Sequence, residues 1–371
     1  MPVNDVLGGL RHLVPELALT FGFLLVLLWD LFSPRAVRAK GNAAIALLTL
    51  AVAAGDPLTR LAAGTVPSIS IFSGQLAIDA YSDFFRVLFA LITAIVVLMA
   101  TVGPPEGFVA DAGDKVLRNN SVVRNAHGEL VALLLVVTLG MNLMAMARSL
   151  LMVYMGVEIV SVISFALAGF KFSDRKSSEG ALKYVIFGGV ASGIMLYGMS
   201  WLYGLTGSLN LGTIANQITV LTHEHAAAHM PHALFVAGIC VLVGLGYKIS
   251  AVPFHMWTPD VYEGSPTLIT AFFSVGPKAA GFATLVRFLH EALRARSVVA
   301  GDLDGPWPFV IGLLALATMT VGNLMALRQT NVKRLLAFSG IGHVGYMLAA
   351  LAVFSDAAVA SVGFYLVAYC L

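Results

Sequence analysis

Three ionisable side chains stand where an apolar chain has least reason to carry them. Glu158 sits midway along VYMGVEIVSV with no Lys or Arg in the same segment, Lys248 lies inside the apolar run 233–254, and Lys278 directly follows Pro277 in SVGPKAAGFA. A charge near the centre of a bilayer is costly and is retained for ion pathways, proton relays or mutual pairing. A buried amine with a movable carboxylate can do proton work, because burial disfavours the charged amine and a nearby carboxylate restores it. A swing of roughly 3 pKa units is worth ~4 kcal/mol. Moving one charge across a membrane costs ~2.3 kcal/mol per 100 mV, so that swing suffices against roughly 180 mV. The plainer alternative is that Glu158 and a lysine pair only to lock two helices together.

The backbone around these residues is also irregular. In GLGYKISAVPFHMWTPDVYEGSPT, residues 244–267, Pro253 follows Lys248 by five positions. Proline cannot donate to the carbonyl four residues back, so Pro253 frees the carbonyl of Ile249 and Pro277 that of Phe273. Two broken helices are therefore expected, and discontinuous helices build ion sites in transporters. His255 after the first break and His343 in SGIGHVGYML have an unperturbed pKa of ~6.5 that suits proton transfer, although a histidine bonded at a helix break needs no such role. Lys183 lies only a few residues inside its segment, where function and snorkelling to the interface weigh equally. Glu16, Asp30 and Asp83 fall near segment ends and read as interfacial anchors; Asp260 and Glu263 read as capping and turn residues.

The elements that must position these groups are membrane helices. Hydrophobic residues make up 58% of the 371 and charged ones 11%, against roughly 25% charged in a soluble domain, so the chain is an all-α polytopic membrane protein. The net charge of +2 carries no message about nucleic acid. Cys240 and Cys370 have no spacing for a disulfide framework, an iron–sulfur cluster or a zinc site. Apolar segments fall at 13–32, 41–54, 79–103, 130–147, 150–170, 180–204, 233–254, 267–290, 309–327, 333–354 and 358–371, eleven in all. The first is too long and too poor in basic flanks for a cleaved signal peptide. Assigning loops to alternate sides places twelve Lys and Arg opposite the N-terminus and six on its own side. The positive-inside rule then puts the N-terminus outside.

Two loops are long. Residues 103–129 mix charges and read as a solvated cytoplasmic excursion. The loop 205–231 carries His223, His225 and His229, with His232 beyond it; without Cys or Asp ligands or a fixed geometry, these do not make a metal site. An internal repeat is also visible: Asn142-Leu-Met-Ala145 and Asn323-Leu-Met-Ala326 each end a segment and precede a Gly-rich one carrying a single polar residue, Glu158 or His343. The copies are five segments apart, and an odd offset inverts the second in the membrane. The organisation expected is 1–129 as N-terminal helices and loop, 130–308 as a first repeat with a broken helix, and 309–371 as the start of a second, inverted repeat.

On YMGVEIVS, EGALKYVIFG, GYKISAVPFHMWTPDVYEGSPT, SVGPKAAGFA and NVKRLLAFSGIGHVGYML, the chain resembles the antiporter-like subunit family of proton-pumping NADH:quinone oxidoreductase, respiratory complex I, and its subunit N type in particular. The resemblance covers nearly everything from Glu129 onward. It implies proton translocation driven by quinone reduction at a distance. Glu158 would pair with a proton-loaded Lys248, Lys183 and Lys278 would flank them on a polar axis, and His255 and His343 would be secondary relay positions. It further implies that FMN, iron–sulfur clusters and quinone are held by partner subunits, that other membrane subunits, neighbouring antiporter-like ones among them, are the partners, and that the site is a bacterial inner membrane. The family has about fourteen helices, so the apolar ending VGFYLVAYCL suggests a chain incomplete at its C-terminus. The rival readings are a cation/proton antiporter subunit and a membrane scaffold that does not pump.

Overall fold

Backbone in lipid must satisfy its own N–H and C=O groups, which restricts a spanning chain of this composition to helices. The computed structural model describes residues 9–102, 127–171, 174–224, 232–293 and 306–370. Among them the helices are α1 (Val14–Phe32), α2 (Arg35–Ala63), α3 (Ala80–Val102), α4 (His127–Met146), α5 (Leu150–Ala168), α6 (Arg175–Thr206), α7 (Leu211–Glu224), α8 (His232–Ile249), α9 (Thr258–Gly264), α10 (Thr267–Phe288), α11 (Pro306–Ala326), α12 (Val332–Leu351) and α13 (Asp356–Cys370). A hairpin of β1 (Ile69–Ile71) and β2 (Leu76–Ile78) joins α2 to α3.

Among the described residues ten helices are long and apolar enough to cross a membrane, and the eleventh expected segment is the shorter apolar α13. The chain is a multi-pass membrane protein. The segment read as 41–54 extends over all 29 residues of α2; Lys40, Asp56 and Arg60 at its ends narrow the apolar window without stopping the helix. Most of the expected excursion, 103–126, lies outside the described residues, as do His225 and His229. The stretch read as the loop 205–231 contains α7, whose Leu211, Ile214, Ala215 and Ile218 are buried on one face at helical spacing.

The molecule has two distinct ends. At one, the hairpin, the α4–α5 turn and the start of α7 are stitched together: Arg148 N donates to Gln75 O at 2.8 Å and Leu211 N to Arg148 O at 3.0 Å. At the other lie α9 and the first turns of α6 and α12. Asp174 caps α6 by accepting from Lys176 N, and Asn331 caps α12 by accepting from the amides of Lys333 and Arg334, which places four cations at this end. The repeated tetrapeptides fall at opposite ends. Ala145 O accepts from Arg287 beside the hairpin, whereas Ala326 leads into the turn whose Gln329 accepts from Arg334 of α12. Opposite placement is what an inverted repeat requires.

α10 is the central element, buried without interruption from Gly276 to Phe288. Pro277 does not break it, contrary to expectation. Only one donor is lost there, and neighbouring helices hold the continuous run in place. Pro253 does lie in a break, but α8 ends at Ile249, four residues before it. Ser250, with φ +65°, takes the left-handed conformation; its N–H donates to Tyr247 O at 3.1 Å and that of Ala251 to Gly246 O at 2.8 Å. This is the Schellman ending, which satisfies carbonyls that a bare terminus would strand.

Candidate functional site

The break at 250–257 is fastened by polar and aromatic groups rather than left open. Thr258 Oγ1 donates to Ser250 Oγ at 2.8 Å, Trp257 Nε1 donates to Tyr247 O at 3.2 Å, and Val252 N donates to Thr318 Oγ1 of α11 at 3.1 Å. Tyr184 of α6 stacks on Trp257 with ring centroids 4.3 Å apart. α10 crosses directly over this structure. A Cβ on Gly281 would come 2.7 Å from Ile249 and 3.4 Å from Lys248, so the approach depends on the missing side chain.

Lys248 is 2% exposed and Lys278 3%. Gly281 and Lys278 are three residues apart and share a face of α10, so the two lysines lie on adjoining surfaces. Their ammonium groups face different helices. Lys248 Nζ donates to Ser161 Oγ of α5 at 3.0 Å, while Lys278 Nζ makes no hydrogen bond among the described residues and lies 5.4 Å from the ring centre of Tyr262 of α9. Glu158, three residues before Ser161, accepts from Ser192 Oγ of α6. The expected Glu158–Lys248 pair is therefore not closed; each ion is held by a serine. Ser161 and Ser192 were not singled out from sequence, although the i, i+3 spacing of Ser161 to Glu158 marks a shared face.

The remaining candidates separate. His343 of α12 is half-buried, and its Nδ1 lies 2.6 Å from Tyr365 Oη of α13. His255 is half-buried in the turn, where its carbonyl accepts from Thr258 N, and its ring bonds to no other candidate residue. Lys183 does not join the buried groups. α6 has 32 residues, about 48 Å at 1.5 Å per residue, so it overshoots a bilayer core of about 30 Å. Lys183 in its third turn reaches Asp260 at 2.6 Å and Glu179 at 2.8 Å.

Those contacts belong to a latch around α9. Asp260 also receives Arg334 of α12 at 2.6 Å; Glu263 receives Arg334 at 3.1 Å and Lys176 of α6 at 2.6 Å; Lys333 Nζ donates to Ser265 O at 2.7 Å. Asp260 and Glu263 thus bind two helices to the short one after the break, a larger task than the capping roles read from sequence. Burial pushes the Asp260 carboxyl up, but hydrogen bonds from Lys183 and Arg334 outweigh it and hold it below the ordinary carboxylate range. The hydrogen bond from Lys176 leads in holding Glu263 low as well. A depressed carboxylate contributes stability above its unfolded pKa and loses it as pH falls through the folded value. The carboxylates of the latch therefore stay charged to lower pH than ordinary carboxylates do. Asp260→Asn is expected to raise hydrogen exchange at the backbone amides of 250–266, whereas moving from pH 7 to pH 5 is not, after correction for intrinsic exchange. An unchanged exchange pattern in the variant would remove the latch from this account.

A second set of ions lies at the hairpin end. Arg86 is 1% exposed and donates to Glu16 at 2.8 and 3.0 Å and to Asp83 at 3.1 Å; Asp83 is shared with Arg60 at 2.9 Å, and Asn142 donates to Glu16 at 3.1 Å. Glu16 and Asp83 are thus buried partners of one guanidinium, not the interfacial anchors expected. Nearby, Arg287 holds Asp79 through two bonds of 3.0 Å and Glu291 at 2.7 Å. Among the described residues no group of three or more His, Cys, Asp and Glu side chains is placed to hold a metal.

Comparison with known proteins gives the family. Residues 147–371 match the family model described as NADH:quinone oxidoreductase/Mrp antiporter, TM. Over 366 residues the chain is 52% identical to NADH-quinone oxidoreductase subunit N 2 of Sorangium cellulosum, covering 99% of this chain and 69% of that protein. It is 47% identical to NADH-quinone oxidoreductase subunit N of Anaeromyxobacter sp., covering 99% and 68%. A chain in the structure of respiratory complex I from Thermus thermophilus superposes with a TM-score of 0.71 at 32% identity, over 96% of this chain and 67% of that one. The chain belongs to the NADH:quinone oxidoreductase/Mrp antiporter family, on its subunit N branch.

Proposed function

We propose that this chain is a proton-translocating membrane subunit of a bacterial NADH:quinone oxidoreductase, in which NADH oxidation and quinone reduction on other subunits drive protons through the groups described above. The observation that carries the reading is the pair of lysines, Lys248 and Lys278, buried where α10 crosses the broken helix, with ammonium groups facing different helices, α5 and α9. Two sites that hold or release a proton, set back to back beside irregular backbone, are what stepwise transfer needs. Glu158 acts on Lys248 through space. A carboxylate held by Ser192 and an amine held by Ser161 can close to an ion pair by side-chain rotation, which restores the charged amine; reopening favours proton release.

His343 and Tyr365 continue the path beyond Lys278. His255 is a secondary relay position, and Lys183 acts at one remove by anchoring Asp260. FMN, iron–sulfur clusters and quinone are assigned to partner subunits, and other antiporter-like membrane subunits are the neighbours in the bilayer. The protein sits in the bacterial inner membrane with its N-terminus outside, so that the latch faces the cytoplasm. Residues 1–129 are the N-terminal helices, 130–308 the first repeat, and 309–371 belong to the second.

Glu158→Gln tests this reading, since it keeps the shape and the Ser192 contact but removes the charge. In membranes from cells expressing the variant, the complex is expected to assemble and to oxidise NADH while moving fewer protons per NADH. A normal proton yield in assembled complex would favour a scaffold that holds pumping neighbours.

A further inference from the structure

A group of polar side chains remote from the two lysines gathers at the end of the molecule opposite the hairpin. The hairpin joins the end of α2 to the start of α3, and α4 ends beside it, so the last turn of α1, the early turns of α2 and the first turn of α4 meet at the other end. Two glycines let them meet closely. A Cβ on Gly41 of α2 would overlap the Trp29 indole of α1, and one on Gly128 of α4 would overlap the Asp30 carboxyl. Asn42 Nδ2 of α2 donates to Asp30 Oδ1 at 2.7 Å. The Asp30 carboxylate thus lies between the Asn42 amide and the backbone of Gly128, and its charge acts on the adjoining His127 imidazole.

The group is rich in lone pairs that nothing uses. Asn42 is fully buried and His127 is 5% exposed, yet Asn42 Oδ1 and both ring nitrogens of His127 have no hydrogen-bond partner among the described residues. Arg38, one turn before Asn42, is spent on Ser33 O at 2.9 and 3.3 Å. Buried polar atoms without partners are costly, and three of them beside a carboxylate call for one shared partner. A water could bond to some of them but would bring no charge opposite Asp30. A divalent cation answers the lone pairs and the charge together. Imidazole nitrogen with carboxylate and amide oxygen is a borderline donor set, nearer to zinc than to calcium or magnesium, which take oxygen alone. Three protein ligands and a water complete a tetrahedron.

We propose that Asp30, Asn42 and His127 form a binding site for a divalent cation of the zinc type, which ties α1, α2 and α4 together at this end. The carboxylate binds ionised and the imidazole neutral. The Asn42 amide turns over on binding, so that Oδ1 replaces Nδ2 on the side of Asp30 and the cation replaces the hydrogen bond between them. Each helix supplies one ligand, and the close approaches at Gly41 and Gly128 hold the three within reach. The site is structural and independent of proton transfer.

The test uses the whole complex, washed with a chelator and titrated with zinc ions, while hydrogen exchange is followed at the backbone amides of 30–46 and 127–135. In the wild type zinc is expected to slow exchange in both segments. Asp30→Asn and His127→Ala are each expected to raise the zinc concentration needed by at least roughly tenfold. Asn42→Asp separates a metal site from a hydrogen-bonded contact. Two adjacent carboxylates repel when no cation lies between them and share one that does, so this variant should exchange faster than the wild type without zinc and be protected at lower zinc. A map of the zinc-loaded wild-type complex should show density between the three side chains. Exchange in the wild type that ignores zinc, protection that survives in both Asp30→Asn and His127→Ala, or an Asn42→Asp variant that zinc does not protect would overturn the inference. Should His127→Ala fail to assemble, the wild type and Asn42→Asp decide alone.

Discussion

Membranes carrying Lys248→Ala are expected to oxidise NADH and to lose the protons this subunit moves. Lys248 is buried at 2% exposure beside the helix break and bonded to Ser161. Without an amine there, a proton must pass the same low-dielectric point with nothing to hold it. A charge at that depth costs at least ~2.5–3.5 kcal/mol, on the order of a hundredfold in rate. Lys248→Arg sharpens the test. Arginine keeps the charge and can keep the contact to Ser161, but it does not release its proton in the accessible pH range. A structural ion would tolerate arginine; a site that loads and unloads protons would not. Both variants are therefore expected to fail in pumping while the complex assembles. Normal proton yield in either would remove Lys248 from the path.

The largest stability effect is expected at the other end of the molecule. Arg86→Met strands Glu16 and Asp83, which are buried and have Arg86 as a shared partner. Removing one member of a buried ionic cluster costs about 3–5 kcal/mol, because the remaining charges have neither water nor a partner. Asp83 retains Arg60, which places the loss toward the lower part of that range. The midpoint of thermal unfolding of the detergent-solubilised complex should fall accordingly. The double variant Arg86→Met with Glu16→Leu should recover part of the loss, since it removes the stranded charge as well. A double variant less stable than Arg86→Met alone would mean that Glu16 is stabilising through another partner.

Much of the site was legible because burial of charge in an apolar run is a local signal. Glu158, Lys248 and Lys278 declare themselves against their neighbours, and the break after Lys248 was placed within a few residues by Pro253. What could not be read is pairing over distance. Arg86 meets Glu16 across 70 positions, and Asn142 meets the same carboxylate across 126; no periodicity encodes either contact. The separation of Glu158 from Lys248 by two serines is likewise a matter of rotamers; the resemblance implied that the two pair, and the charges alone left the pair movable. Pro277 was misread because the missing donor was weighed without the packing around α10 that keeps the helix whole. α7 was missed for a simpler reason: Leu211, Ile214 and Ile218 have helical spacing, but the histidines that follow drew the reading toward a loop.

The latch around α9 also constrains how α6 and α12 can move. Arg334 and Lys333 come from α12, Lys176 and Lys183 from α6, and all four close on residues 260–265 of the chain between α8 and α10. α6 and α12 are therefore cross-braced, and rocking of one against the other must either carry α9 with both or exchange ion pairs along the way. Exchange is the softer route. Asp260 and Glu263 already share Arg334, so a carboxylate can release one cation while still held by another, and the brace can slide by steps without ever being fully undone.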